Sequence, residues 1–328
     1  MFATHNLSEE YEMTEVDEPH NTQSVTVLDL EVVQLRQESD RVLSVVLADP
    51  ERRLLPAWEP GAHIDVWLPS GVRQYSLCGD PANRQEYRIA VLNEQESRGG
   101  SRYVHSTLRP GDMVEISGPR NHFELESASE YIFVAGGIGI TPLLPMMQAA
   151  GDNWHLLYGG QTRRSMAFAD ELDDNPRVQI RPQDEYGLLD LAAALGTPRP
   201  GVGVYCCGPA PLIAAIEAFC ADWPAGTLHV EHFSAAEVDT SNDVAFEVTA
   251  QRSGVSVTVQ PDETVLDALE TVGVSLPYAC RDGVCGSCAT RVLSGTPEHR
   301  DMLTDPDDTV IMMPCISRAS SNELVLDV

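Results

Sequence analysis

Cys280-Arg281-Asp282-Gly283-Val284-Cys285-Gly286-Ser287-Cys288 decides how this chain is read, together with Cys315, which follows after a further twenty-six residues. Cysteines spaced C-x4-C-x2-C with a distant fourth match the ligand pattern of a [2Fe–2S] centre. Two irons need four thiolates from a small volume, and one tight loop supplies three of them. Gly283 and Gly286 let that loop fold without Cβ clashes. Their neighbouring N–H groups can then point at the sulfurs. The metal ligands expected are therefore Cys280, Cys285, Cys288 and Cys315. Two other uses of the cysteines compete. A zinc site more usually shows paired C-x2-C spacings. A disulfide framework needs an oxidising compartment, and the acidic N-terminus lacks the apolar run of a secretory segment.

The bulk composition bounds the rest. A chain of 328 residues accommodates two or three domains. No run of eighteen apolar residues occurs, so no transmembrane helix is expected and a cytoplasmic location follows by default. Eight cysteines in such a chain point to metal or redox work. The net charge is −29, and all twenty-one basic residues are Arg. That acidity argues against nucleic acid as a partner, because phosphates are repelled. Residues 1–23 carry six acids, no Arg and no apolar period, and read as a disordered tail.

From Ser24 to about Leu125 short apolar runs alternate with turn signals such as Glu59-Pro60-Gly61, Pro69-Ser70-Gly71 and Arg109-Pro110-Gly111. The runs are Val25–Val33, Val42–Ala48, Ala62–Leu68, Val72–Cys78, Tyr87–Leu92 and Met113–Ser117, with one helix near Arg102–Leu108. Such spacing predicts an antiparallel β-barrel. On the fourth run, alternation puts Arg73 and Tyr75 on one face, which suits a planar cofactor carrying a phosphate. Arg98-Gly99-Gly100-Ser101 opens the helix and offers a hydroxyl and free N–H groups to an anion.

From about Tyr131 strands and helices alternate, which predicts an α/β domain with a parallel sheet. The first strand turns into its helix through Ala135-Gly136-Gly137-Ile138-Gly139-Ile140-Thr141-Pro142, with Thr141 expected as N-cap and Pro142 as the first helical residue. This turn is a candidate pyrophosphate site, although it departs from G-x-G-x-x-G. Cys206-Cys207-Gly208-Pro209 ends a later strand, at the edge where ligands of open α/β sheets bind. Only one of the two cysteines can face that edge. Val230-Glu231-His232-Phe233 closes the last strand. Ala235–Asp243 has linker composition. His63, His122 and His155 are scattered, form no base–nucleophile arrangement, and read as structural.

Residues 244–328 resemble plant-type ferredoxins, which implies an α+β β-grasp fold. Taken in order with the R-Q-Y-S and R-G-G-S segments, the whole chain beyond the tail and linker resembles the phthalate dioxygenase reductase family, which includes vanillate demethylase reductases. The resemblance implies three domains: an FMN barrel at 24–126, a nicotinamide domain at 127–234 and a [2Fe–2S] domain at 244–328, the last two joined by a linker at 235–243. It implies that Arg73, Gln74, Tyr75 and Ser76 bind flavin ring and phosphate. Ala90, Val91 and Leu92 line the ring, and Arg98, Gly99, Gly100 and Ser101 hold the phosphate. Gly136, Gly137, Gly139, Thr141, Pro142, Cys207, Gly208 and Pro209 would hold the nicotinamide dinucleotide, and Phe233 would pack on the flavin. Ser76, near flavin N5, Cys207, against the nicotinamide, and Glu231 are the candidates for the chemistry.

The activity implied is electron transfer from NADH through FMN and [2Fe–2S] to a separate terminal oxygenase of an aromatic degradation pathway, of the Rieske type. Two other uses fit the same sequence: a reductase for a cytochrome P450 or di-iron oxygenase, and a redox-sensing regulatory subunit. Tyr158-Gly159-Gly160-Gln161-Thr162-Arg163-Arg164 offers two Arg and no acid, which leaves NADPH open beside NADH. Asp301, Asp305, Asp307 and Asp308 crowd the connection between Cys288 and Cys315, and are expected to steer a basic patch on the oxygenase.

Overall fold

The computed structural model describes residues 26–95, 99–233 and 239–328. The acidic stretch 1–23, Arg98 and residues 235–238 of the expected linker lie outside the described residues.

Three sheets form in chain order. The first takes strands β1 (Val27–Ser39), β2 (Val42–Ala48), β3 (Ala62–Leu68), β4 (Gly71–Ser76), β5 (Tyr87–Leu92) and β6 (Met113–Asn121), with helix α1 (Gly100–Ser106) between the last two. All pairings are antiparallel, in the order β4-β3-β6-β1-β2-β5. Just past β4, the Cys78 N–H donates to Arg88 O of β5 at 2.8 Å, so the two edges meet and the sheet curls into the expected barrel. Its interior is apolar, with Leu30, Leu47, Ile64, Leu77, Ile89 and Ile116 buried. Each such side chain contributes about 1.5–3 kcal/mol by leaving water. β1 runs past the expected Val33, because Gln34–Ser39 pair with Val42–Val46 across a tight turn although all but Leu35 are polar. β6 likewise runs on to Asn121, pairing Ala62 with Asn121 and His63 with Arg120.

The second sheet is parallel, as alternating strands and helices predict. Its strands are β7 (Glu130–Gly136), β8 (Trp154–Gly160), β9 (Val178–Pro182), β10 (Val202–Cys207) and β11 (Leu228–Glu231), ordered β11-β10-β7-β8-β9. Helices α2 (Ile140–Ala149), α3 (Ala169–Leu172), α4 (Gln183–Tyr186), α5 (Leu191–Leu195) and α6 (Ala210–Cys220) connect them. Alternation splits β7 cleanly: Phe133 and Ala135 pack with α2, Ile132 and Val134 with α6. β7 is the strand where the order reverses, which places a crevice beyond its carboxyl end. The barrel is tied to this sheet by Arg36–Glu171 at 2.6 Å and by Asp40 N–H donating to Arg164 O at 3.0 Å.

The third sheet contains β12 (Phe246–Ala250), β13 (Val255–Val259), β14 (Thr290–Ser294), β16 (Ile311–Met312) and β18 (Glu323–Leu326), ordered β13-β12-β18-β14-β16. β12 and β18 run parallel inside it. A short ribbon pairs β15 (Pro297–Glu298) with β17 (Arg318–Ala319). Helix α7 (Val265–Thr271) buries Val265, Leu266, Ala268 and Leu269 in the same core. Thr264 caps it, its Oγ1 accepting the Asp267 N–H at 3.0 Å. One helix packed on a mixed sheet is the β-grasp arrangement. Asp243, expected to end a linker, is instead buried against Arg300 at 2.6 Å and Arg318 at 3.5 Å.

Candidate functional site

One cavity of about 210 Å³ is lined from all three sheets. β4 contributes Arg73, Gln74, Tyr75 and Ser76, and β5 contributes Ala90, Val91 and Leu92. Ser101 enters from α1, Ile138 and Thr141 from the turn after β7, and Glu231 and Phe233 from the end of β11. Cys280, Asp282 and Val284 close the cavity from the third sheet's loop. His63 Nε2, Gln74 Nε2 and Glu231 Oε2 are buried without a hydrogen-bond partner, and all three residues line this space. Each such atom costs about 1–3 kcal/mol unless a ligand satisfies it. An apolar wall with three unsatisfied polar atoms suits a flat heteroaromatic ring with a polar edge.

The end of the cavity at α1 is equally close-packed. Arg73 lies over Gly100, where a Cβ would fall 2.9 Å from Arg73 Cγ. Gly99 sits at φ 104, a conformation that favours glycine. Ser101 Oγ accepts the Glu94 N–H at 3.3 Å. Arg73 thus lies against the Gly99-Gly100-Ser101 segment, while Arg98 lies outside the described residues. Burial pushes the Tyr75 phenol up to about 12, so it remains a neutral ring.

At the glycine-rich turn the structure corrects the expected cap. A 3₁₀ turn at Gly137–Gly139 precedes α2, which starts at Ile140 with Gly139 before it. Thr141 and Pro142 therefore lie inside the helix, and Thr141 Oγ1 donates back to Ile138 O at 3.0 Å instead of capping. The turn presses on the end of β10. A Cβ on Gly139 would fall 2.2 Å from Cys207 O, one on Gly136 2.6 Å from Pro209 Cδ, and one on Gly208 2.9 Å from Gly136 Cα. Gly136, Gly139, Cys207, Gly208 and Pro209 are thus one contact.

The two cysteines of β10 face opposite ways. Cys206 packs with Ile132, Val134 and Cys220 in the α6-side core. Cys207 faces Glu231, its neighbour in the parallel register. The Ser76 and Cys207 side chains both reach the Glu231 carboxyl and favour its ionised form, but burial outweighs them and pushes it up to about 8. Glu231 therefore carries a proton at neutral pH. Phe233 is 41% exposed at the cavity mouth.

The three cysteines of the loop and Cys315 are all buried. Their thiols form a chain, Cys285 beside Cys280, Cys280 beside Cys315, and Cys315 beside Cys288. The Asp282 N–H donates to Cys280 Sγ at 3.3 Å and the Ser287 N–H to Cys285 Sγ at 3.5 Å. Gly283 and Gly286 sit at φ 67 and φ 69. At Gly283 a Cβ would fall 2.6 Å from Ile316 Cγ2. Among the described residues no group of three or more His, Cys, Asp or Glu is arranged to hold a single metal ion. What suits a two-iron centre here is the burial, the spacing and the N–H groups aimed at sulfur.

Sequence reasoning missed His63 and His122. Their ring centroids are 5.6 Å apart. Burial, with Arg120 nearby, pushes both imidazoles down. A signal for His63 existed: a hairpin turning at Pro69-Ser70 pairs it with Ser76.

Comparison with known proteins bears on this arrangement. The family described as a 2Fe-2S iron-sulfur cluster binding domain matches residues 248–320. Phthalate dioxygenase reductase of Burkholderia cepacia is 38% identical over 92% of this chain and 97% of its own length. The chain belongs to the phthalate dioxygenase reductase family. A member of this family is an oxidoreductase, the reductase component of an oxygenase system, with flavin, nicotinamide and [2Fe–2S] cofactors. Phenoxybenzoate dioxygenase subunit beta of Ectopseudomonas oleovorans is 43% identical over 88% of this chain and 93% of its own length. A crystal structure of phthalate dioxygenase reductase superposes with a TM-score of 0.71 at 36% identity, covering 92% of this chain and 98% of that one. An intact type IV self-sufficient cytochrome P450 monooxygenase gives 0.84 at 40% identity over 97% of this chain, which spans only 43% of that longer protein. Among the described residues no helix is long and apolar enough to cross a membrane.

Proposed function

We propose that this family member is an NADH-dependent reductase with FMN in the 210 Å³ cavity and a [2Fe–2S] centre on Cys280, Cys285, Cys288 and Cys315. The observation that carries this is the convergence of Ser76, Glu231 and Cys280 on one cavity. When bound, FMN would supply the chemistry that links two-electron hydride transfer to single-electron release, and the cluster would supply a one-electron acceptor. The protein's own residues do the rest. Gln74 and His63 offer unsatisfied polar atoms to the flavin edge. Ala90–Leu92 and Tyr75 exclude water from the ring. Arg73, with Gly99, Gly100 and Ser101, receives the phosphate. The neutral Glu231 carboxyl donates a hydrogen bond at the nicotinamide–flavin contact, between Ser76 and Cys207. The division proposed is 24–126 for flavin, 127–234 for nucleotide and 244–328 for the cluster, in a reducing cytoplasm that leaves the cysteines unpaired.

NADH rather than NADPH is supported by the basic pair after β8. Arg163 is held by Asp170 at 2.9 Å and Asp173 at 3.1 Å, and Arg164 by Asp40 at 3.3 Å. Both guanidiniums already have carboxylate partners with which a 2′-phosphate would have to compete.

The acceptor proposed is a Rieske-type oxygenase, as the family resemblance implies. A second reading, delivery to a cytochrome P450, is favoured by the likeness to the self-sufficient P450. The acidic loop does not decide between them. Asp301 is buried and accepts the Leu303 and Thr304 N–H groups at 3.1 and 2.8 Å and the Ser317 hydroxyl at 2.8 Å. Asp305 and Asp308 accept the N–H groups of Asp307 and Val310. These acids shape turns, so the expectation that Asp301 steers a partner is withdrawn. The test is anaerobic mixing of NADH-reduced protein with a Rieske oxygenase and with a ferric P450. Rapid oxidation of the cluster by the P450 alone would reverse the assignment.

A further inference from the structure

His122 stands where the barrel meets the cluster loop. Its backbone is fixed to the barrel on both sides. Asn121 Nδ2 donates to Pro60 O at 3.0 Å, and Gly61 lies so close to Phe123 that a Cβ there would fall 1.8 Å from Phe123 O. The ring then reaches out to the loop. The backbone of Cys285 sits against it. A Cβ on Gly286 would fall 3.2 Å from His122 Nε2, a tight contact, and Gly286 sits at φ 69, so this position favours glycine and the ring lies close against the loop. On its inner side the ring tilts 32° against His63, which is 97% buried and presents an unpartnered Nε2 in the cavity. Val72 of β4 packs on Ala279, Cys280 and Cys285, and so forms a second contact between barrel and loop.

We propose that His122 is a positioning residue that registers the cluster loop against the flavin cavity, with His63 as its inner neighbour. This rests on the reading that flavin fills the cavity and the cluster sits on the four cysteines. Val72 offers only apolar contact, which lets one surface slide on another. An imidazole lodged against the Cys285 and Gly286 backbone fixes the register. The step it serves moves one electron: reduced flavin is oxidised by one electron and the oxidised cluster is reduced by one. No proton or atom passes through either imidazole, and no further reactant is needed. Hydride transfer at Glu231 and Cys207 uses other groups and does not depend on this contact.

The experiment compares flavin- and iron-loaded wild type with His122→Ala and with His122→Gln, which keeps a side-chain N–H of similar reach. Anaerobic stopped-flow follows flavin and cluster absorbance after mixing with NADH, and visible circular dichroism reports the geometry around the oxidised cluster. In His122→Ala, flavin reduction should stay within about twofold while cluster reduction slows at least about tenfold, since a misplacement of 1 Å can cost on the order of a hundredfold. The cluster dichroism should change, and His122→Gln should recover most of both losses. A wild-type rate of cluster reduction in His122→Ala overturns the proposal. So does an equal slowing of both steps with unchanged dichroism. If His122→Ala loses its iron, the Gln variant decides: a near-wild-type rate and spectrum supports the registering contact, and a slow, iron-loaded Gln variant overturns it. Wild-type protein that binds no flavin or no iron overturns the functional reading, and this inference with it.

Discussion

Gly139→Ala isolates the contact between the glycine-rich turn and β10. Gly139 has φ −63 and ψ −3, which alanine adopts freely, so the substitution costs no backbone strain. Its whole effect is steric. The new methyl would fall 2.2 Å from Cys207 O, 2.4 Å from Cys207 C and 2.7 Å from Gly208 N. Those are backbone atoms at the end of a buried strand and cannot rotate away. To reach an ordinary contact of about 3.5 Å, the turn and the strand must separate by roughly 1.3 Å. The expected cost is about 1–3 kcal/mol of stability. The functional cost should be larger, because Cys207 and Thr141 would be displaced relative to each other, and about 1 Å of misplacement can cost on the order of a hundredfold in rate. Gly151→Ala is the control. It has φ 71 with no heavy atom within 4 Å, so it should lose stability through strain alone and leave nucleotide binding intact. The assay is the rate of flavin reduction against NADH concentration, with flavin and iron content measured in parallel. Gly139→Ala protein with affinity and rate within about twofold of wild type would refute the close packing of this turn on β10.

Cys288→Ala should abolish the reduced [2Fe–2S] electron paramagnetic resonance signal while flavin stays bound, and a normal signal would contradict the ligand set. Cys207→Ala should slow flavin reduction with little loss of flavin, whereas Cys206→Ala, inside the α6-side core, should show mainly as a lower melting temperature; equal kinetic defects would contradict their opposite orientation. Hydride transfer makes the flavin more negative, so ionising Glu231 should oppose it: reduction by NADH should slow as pH rises through about 8, and the Glu231→Gln profile should be flat there. Replacing Asp170 and Asp173 by Asn frees Arg163, so the double variant should gain at least about fivefold in kcat/KM for NADPH relative to NADH, as one new charge-assisted hydrogen bond of about 1 kcal/mol would give. An unchanged ratio would remove Arg163 from the specificity argument.

What was legible in the sequence was short-range. The cluster loop is nine consecutive residues plus one, and its spacing is chemistry in itself. The opposite orientations of Cys206 and Cys207 follow from a period of two, which no tertiary context can change inside a strand. The start of α2 was misjudged because Thr-Pro reads locally as a cap. The chain in fact enters the helix through a 3₁₀ turn whose glycines are set by the approach of β10, sixty-odd residues away. Asp301 misled for a related reason. A sequence displays a carboxylate's charge but not the N–H and hydroxyl donors that surround it once folded.

The pairing of His63 with His122 lay furthest from view. β3 and β6 are antiparallel neighbours, but their register slips between His63 and Asp65, so counting from either strand's end does not bring the two rings together. β6 runs on to Asn121, and His122 follows it beside the cluster loop. Had the ladder run regularly, Asp65 pairing with Ser117 would have placed His63 opposite Pro119, not Arg120. Around this irregularity an unpartnered imidazole, His63, lines the cavity, and a second, His122, lies against Gly286. Bulges in barrels recur next to active sites because one extra residue re-aims a side chain without a new element. Here the extra residue lies on β6, since β3 pairs regularly with β4, and it is the β6 side of the pair that leads on to His122 beside the cluster loop, which periodicity alone assigns to a separate domain.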